Sequence, residues 1–253
     1  MKIAVVTGVS KGLGESIAKL FLQSGVQVVG ISRRNNEELR QLADEKDASF
    51  HHYSCDLRKV QAIEETFQQI YTERIVHTQP TTVYLVNNAG VVGPITQAMH
   101  MNHEELADHV QVNTIAPMML MNSFLQKATE HDFKLIGVNI TSGAGSRPVY
   151  GWSAYCSTKA SINMYTKTVA LEQVEKKTGH KIIAFSPGIM DTDMQGKIRE
   201  STYDEFIQID TFKNYKEQNE LRHPDTVADV LYNILQDEEQ LENGKVYRLY
   251  DYV

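Results

Sequence analysis

The feature that most constrains this chain is an alternation sustained from end to end, in which short apolar runs are separated by longer stretches of helical periodicity. Seven runs read as strands: Ile3–Thr7, Gln27–Ile31, Ser49–Ser54, Thr82–Val86, Lys134–Ile140, Lys181–Phe185 and Lys245–Leu249. Helical patterns fall at 13–23, 36–46, 59–73, 103–130, 153–177 and 225–238. Strands joined through helices must run parallel, because the crossover returns the chain to the same end of the sheet. The expected class is therefore α/β: a doubly wound parallel sheet of about seven strands with helices on both faces. No repeat, low-complexity tract or Pro/Gly/Ser linker divides 1–253, so a single domain is expected. A chain of this length buries about three quarters of its unfolded surface.

Local signals fix several helix ends. Ser153 precedes a run with Ala160, Met164, Leu171 and Val174 at helical spacing. Pro224 fits a helix first turn, and Asp225 adds negative charge at the positive end of the dipole. The polar stretch 190–222, with Tyr203, Phe206, Ile209 and Phe212 set into it, reads as an insertion between the last two strands that covers the site as a lid.

Charge and cysteine content narrow the partners. A net charge of -7 argues against nucleic acid or an anionic membrane as partner. Cys55 and Cys156 cannot form a disulfide framework in so long a chain and read as free thiols of a reducing cytosol. The apolar run Ile3–Val6 is too short for a signal-peptide core or a membrane span, so a cytoplasmic protein is expected. His51-His52 and His100 with His103 lack a companion Cys or carboxylate cluster at zinc-site spacing, and no metal is expected.

The first strand runs into Thr7-Gly8-Val9-Ser10-Lys11-Gly12-Leu13-Gly14, where a helix begins. Glycines there permit a tight turn and close backbone approach to a diphosphate, while helix N–H groups face the anion. By itself such a turn does not decide whether a nucleotide binds. The end of the second strand adds Ile31-Ser32-Arg33-Arg34, with no carboxylate before Glu37. A carboxylate at that position would hold a ribose 2′-hydroxyl; Arg33 and Arg34 instead suit a 2′-phosphate, and Lys11 can reach the same group. The cofactor expected is NADP(H). Farther on, Tyr155 and Lys159 stand four apart on one helix face. An ammonium beside a phenol lowers a pKa that is ordinarily about 10, easing proton exchange with a carbonyl or alcohol oxygen.

Taken in order, Thr7–Gly14, Asn87-Asn88-Ala89-Gly90, Asn113, Ser142, Tyr155 with Lys159, and Pro187-Gly188 resemble the motif series of short-chain dehydrogenases/reductases over nearly the whole chain. The resemblance implies a Rossmann form of the doubly wound sheet, and it implies roles. Ser142 holds the substrate oxygen, Tyr155 protonates it, and Lys159 contacts the nicotinamide ribose and tunes Tyr155. Asn113 anchors a water chain to Lys159. The resemblance also implies a nucleotide site made from Gly8, Ser10, Gly12, Leu13 and Gly14 of the turn, with Asp56 and Leu57 flanking the adenine. Asn87, Ala89 and Gly90 support the adenosine side, and Ile189 and Thr192 follow Pro187-Gly188 to hold the carboxamide. In this family the long helices 103–130 and 153–177 pair subunits, which implies a homo-oligomer, a dimer or tetramer.

The run Pro187–Gln195, Tyr155-Cys156 and the Tyr247–Tyr250 ending are similar to sepiapterin reductases. In those a carboxylate on the last strand anchors the pterin, where Arg248 stands here. Bacterial relatives of that branch include benzil reductases, which reduce an aromatic 1,2-diketone to an (S)-hydroxyketone. Val91, Tyr150, Trp152, Met190 and Tyr203 suit an aromatic wall for such a substrate, although Tyr150 and Trp152 equally suit packing of their loop. The expectation is an NADPH-dependent reductase of a small-molecule carbonyl compound of the benzil type. A pterin-like diketone reductase and a non-catalytic NADP-sensing protein are the alternatives.

Overall fold

The computed structural model describes every residue, Met1–Val253. Its first half runs β1 (Lys2–Thr7), α1 (Gly12–Gln23), β2 (Gln27–Ser32), α2 (Glu37–Glu45), β3 (Phe50–Ser54), α3 (Val60–Ile70), α4 (Val76–Thr78) and β4 (Thr82–Asn87). Then come α5 (His103–Val110), α6 (Ala116–His131), β5 (Lys134–Ile140), α7 (Ser153–Lys176) and β6 (Lys181–Ser186). The chain closes with α8 (Asp193–Arg199), α9 (Ile209–Glu217), α10 (Pro224–Gln236) and β7 (Val246–Arg248). All strands pair in parallel, in the order β3-β2-β1-β4-β5-β6-β7.

The strands are apolar almost throughout because both faces of the sheet are covered. Alternate residues leave on opposite sides. Ala4, Val6, Tyr84, Val86, Ile136 and Val138 pack with Leu13, Ile17 and Phe21 of α1 and with Val227, Leu231 and Leu235 of α10. Ile3, Val5, Val83, Leu85 and Leu135 meet Ile63 and Phe67 of α3, Leu120 and Phe124 of α6, and Val169 of α7. Caps set the helix starts: Asn36 accepts from the Leu39 N–H, and Asn102 accepts from those of Glu104 and Glu105. Pro224 occupies the first turn of α10 together with Asp225.

Two expectations about helices need correction. The 103–130 stretch is not one α-helix, because a π-helical turn, Gln111–Ile115, joins α5 to α6. The 59–73 stretch likewise leaves α geometry at Ile70 and continues as a π turn, Tyr71–Ile75. The apolar residues Met164, Leu171 and Val174 point out of the protein, at 63%, 60% and 55% exposure. The face of α7 that packs inward carries Tyr155, Ile162, Thr166, Val169 and Gln173.

β1 lies between β2 and β4, so the crossovers leaving β1 and β4 go to opposite sides. The divergence opens a crevice at the carboxyl ends of these strands, where doubly wound sheets place ligands.

Candidate active site

The glycine turn forms one wall of the crevice. Gly8 and Gly12 have φ of +76° and +63°, a region that side chains strain to occupy. A Cβ on Gly14 would overlap the Gly8 carbonyl and the Asn88 amide, so that glycine is fixed by packing. A Cβ on Gly12 would meet nothing nearer than the Thr192 methyl at 3.6 Å, which leaves its face open to the crevice. Lys11 gives α1 no side-chain cap, so the first-turn N–H groups remain available to an anion. Thr7 Oγ1 accepts from the N–H groups of Asn88 and Ala89, both at 2.9 Å, and fastens the β4 loop to the end of β1. Asn36 donates to the carbonyls of Val9 (3.2 Å) and Ser10 (3.5 Å), tying α2 to the same turn. These features fit a dinucleotide, with the diphosphate over Gly12 and Leu13.

Arg33 and Arg34 emerge exposed just beyond β2. Glu37 pairs with Arg40 and Glu38 with Lys19, while Asp56 pairs with Arg58 and also feels the charge of Arg33. The Arg58 guanidinium donates to both Asp56 oxygens and to Asp108, and this holds the Asp56 carboxyl at about 2. Leu57 beside it is buried. Lys11, expected to turn toward Arg33, pairs instead with Asp193 at the start of α8, across the mouth of the crevice. The Asn87 side chain also departs from expectation. It points into the protein, donating to Asn139 Oδ1 (3.0 Å) and to the Pro117 carbonyl (3.1 Å).

At the other end of the crevice α7 brings Tyr155 and Lys159 together. Lys159 Nζ lies 5.8 Å from the Tyr155 ring centroid and donates to the Ile140 carbonyl at 2.9 Å. A Cβ on Gly90 would sit 3.2 Å from Asn113 Oδ1 and 3.6 Å from Lys159 Nζ, so all three border one small space. Ser142 follows β5, and its Oγ accepts from the Ala144 N–H at 3.2 Å. The electrostatics correct the sequence-based expectation. Burial pushes the Tyr155 phenol up to about 12, with contact to Ser142 pulling the other way. Burial also drives Lys159 down to about 8. In the chain alone, desolvation outweighs the pull of Ser142, and the Tyr155 phenol keeps its proton.

The 190–222 segment covers this end. Phe206 stacks on Trp152 with centroids 4.9 Å apart, and Trp152 meets the Tyr155 ring edge-on at 5.2 Å. Phe212 closes against both Trp152 and Phe206, at 5.5 and 5.2 Å. Trp152 and Tyr155 are consequently 6% and 7% exposed. Trp152 is thus packed under the cover rather than open as a pocket wall, whereas Tyr150, Val91 and Tyr203 are exposed. The root of the segment is pinned: the Asp191 N–H donates to the Arg222 carbonyl, the Arg222 N–H to that of Ile189, and Asp191 pairs with Lys216. That pairing sets Met190 beside Arg222. Buried Pro187 and exposed Gly188 lead into the root, and a Cβ on Gly188 would overlap the Tyr250 ring.

A model of the short chain dehydrogenase family matches residues 2–202. The chain belongs to the short-chain dehydrogenases. It is 39% identical, over 98% of its length and 99% of the relative's, to a benzil reductase ((S)-benzoin forming) of Bacillus cereus. It is 29% identical to a sepiapterin reductase of Bos taurus, over 98% and 94% of the two chains. Among solved structures, the KRED1-Pglu enzyme superposes with a TM-score of 0.80 at 25% identity, covering 97% of this chain and 100% of its own. The protein is therefore an oxidoreductase of the carbonyl-reductase type, in the branch that holds benzil and sepiapterin reductases, and its family uses a nicotinamide cofactor. No helix is long and apolar enough to cross a membrane.

Reading the sequence missed several residues of this short-chain dehydrogenase's site. Arg58 was hidden because its partner Asp108 is fifty positions away. Gly151 has φ +80°, and a Cβ there would overlap the Glu205 carbonyl, so the covering segment docks directly on it. Only the glycine and its neighbour Trp152 signalled this in sequence. His109 lies buried between Asn113 and Tyr155 with no motif to mark it.

Proposed function

We propose that this short-chain dehydrogenase is an NADPH-dependent reductase of aromatic 1,2-diketones, taking a benzil-type substrate to its (S)-hydroxyketone. The observation that carries the reading is the buried, protonated phenol of Tyr155, set near Ser142 beneath an aromatic cover. A phenol held protonated by burial can donate to a carbonyl oxygen. The benzil reductase relative supports the substrate class. Aromatic edges and faces beside Tyr155 offer aryl groups favourable contacts once the cover lifts. Arg248, exposed where β7 ends, is a poor partner for the donor-rich edge of a pterin, and this favours the diketone.

In this reading the Ser142 hydroxyl orients the substrate oxygen and Tyr155 delivers the proton to it. Asn113 and Lys159 border the space through which the proton is replaced. The glycine turn and the uncapped N–H groups of α1 would hold the diphosphate, Lys159 the nicotinamide ribose, and Ile189 and Thr192 the carboxamide. Arg33 and Arg34, exposed and outside any ion pair, would clamp the 2′-phosphate. When bound, the dinucleotide supplies the hydride that the carbonyl carbon receives. The 190–222 segment acts as a lid. The outward apolar face of α7 carries a second copy of the chain in a dimer or tetramer, and the free thiols of Cys55 and Cys156 suit a cytoplasmic setting.

The test is reduction of benzil by the purified chain with NADPH or NADH, followed by nicotinamide absorbance and chiral analysis of the product. Preferential NADPH oxidation yielding (S)-benzoin is expected. NADPH binding with no turnover of any dicarbonyl would defeat the reading and favour a nucleotide-sensing protein.

A further inference from the structure

The π-helical turn Gln111–Ile115 swings Asn113 inward from the helix that joins α5 to α6. Such turns recur at functional sites because they re-aim one side chain without ending the helix. The Asn113 amide is matched to the Val91 main chain: Oδ1 accepts from the Val91 N–H and Nδ2 donates to the Val91 carbonyl, both at 2.8 Å. One Nδ2 hydrogen remains, and it meets His109 Nε2 at 3.0 Å.

His109 is constrained from its other side. Its Nδ1 lies 2.6 Å from the Gly93 carbonyl, which can only accept, so the ring proton sits on Nδ1 and Nε2 is the acceptor. Thr158 Oγ1 stands 3.1 Å from the same Nε2, and it also bonds the carbonyls of Ala154 (3.0 Å) and Tyr155 (3.1 Å). The imidazole lies edge-on to the Tyr155 ring with centroids 6.2 Å apart. Burial and the nearby Lys159 charge keep it neutral, the state in which Nε2 can accept. One ring therefore touches the Gly93 loop, the Asn113 amide and the helix turn that carries Tyr155.

We propose that His109 is a positioning residue for proton delivery. As its Nδ1–H tautomer it takes the last Asn113 hydrogen and holds the amide with Oδ1 toward the space shared with Gly90 and Lys159. The inference rests on the reading of Asn113, Lys159 and Tyr155 as the reacting set. When Nε2 is removed, that Asn113 hydrogen keeps only the longer contact to Thr158 Oγ1 at 3.5 Å, and a small loss of alignment at a proton-transfer site is costly in rate.

Four variants test it, with benzil and NADPH as the assay. His109→Phe keeps the edge-on packing but neither bond, and should lower kcat about 10- to 100-fold while KM for NADPH stays within about twofold. His109→Asn keeps a donor for Gly93 but no acceptor for Asn113 and should behave like His109→Phe. His109→Gln places an oxygen where Nε2 stood and should recover kcat to within about fivefold of the parent chain. In an Asn113→Ala background, His109→Phe should cost no more than about twofold, because the two residues act as one unit. A Gln variant no better than the Asn variant, or losses that multiply in the double variant, would overturn the positioning role. Unchanged kcat in Asn113→Ala alone would instead overturn the reacting set on which it rests. Thermal melts accompany each variant, and if His109→Phe does not fold, the Gln and Asn pair decides.

Discussion

Replacing Lys159 with methionine removes a buried charge while keeping the length of the side chain. The ammonium is held at about 8 against an ordinary 10.5, with burial as the cause. At about 1.4 kcal/mol per unit, the folded chain carries a penalty of about 3 kcal/mol at pH 7. The Ile140 carbonyl loses its donor in the variant, which returns about 1 kcal/mol of that gain. Lys159→Met should therefore be more stable than the parent by about 2 kcal/mol at pH 7, a rise in Tm of roughly 4–8 °C for a chain of this size. The pH dependence has a definite sign. Between about 8 and 10.5 the unfolded chain still binds the proton that the folded chain has released, so the parent gains stability as pH rises. By pH 10 the penalty has fallen below about 1 kcal/mol and the advantage of the variant should be gone. Urea unfolding of the cofactor-free protein at pH 7 and pH 10 measures both points. A variant less stable at pH 7, or displaced equally at both pH values, would refute a charge penalised by burial. The same variant should be inactive, since stability withheld at such a site is commonly what function requires.

Tyr155→Phe should lower turnover by about 100-fold or more while leaving NADPH binding intact by fluorescence titration; near-normal turnover would remove the phenol from the chemistry. Arg33→Asp should weaken NADPH by about 10-fold or more with little effect on NADH, measured as the ratio of their dissociation constants. Gly151→Ala places a methyl group against the Glu205 carbonyl at φ +80° and should raise KM for the carbonyl substrate, with a stability loss of about 1–2 kcal/mol in thermal melts. Leu171→Glu, on the exposed apolar face of α7, should lower the molar mass measured by light scattering, and an unchanged mass would place subunit pairing elsewhere.

The number and parallel sense of the strands were legible because strands covered on both faces must be apolar throughout, as Ile3–Val6 and Val83–Val86 are. Tyr155, Lys159 and Ser142 were legible because their spacing falls at strand ends and on one helix face. The charge states were not: composition around Lys159 gives no measure of how completely it is desolvated, and the expected effect on Tyr155 came out with the opposite sign. His109 was invisible because two of its partners, the Gly93 carbonyl and Thr158, stand 16 and 49 positions away in other elements. The direction of the apolar face of α7 was left open for a simpler reason. Its apolar residues fit helical spacing equally well whether they face the sheet or a neighbouring molecule.

Trp152 is the single tryptophan of the chain, and it is sandwiched between Tyr155 and Phe206 of the segment that covers it. Its indole N–H is buried with no partner, so uncovering transfers that group from an apolar stack to water. Opening of the site should thus shift the emission of the protein to longer wavelength without any label. The chain carries a built-in optical reporter at the seam between Tyr155 and the covering segment, readable on the timescale of mixing.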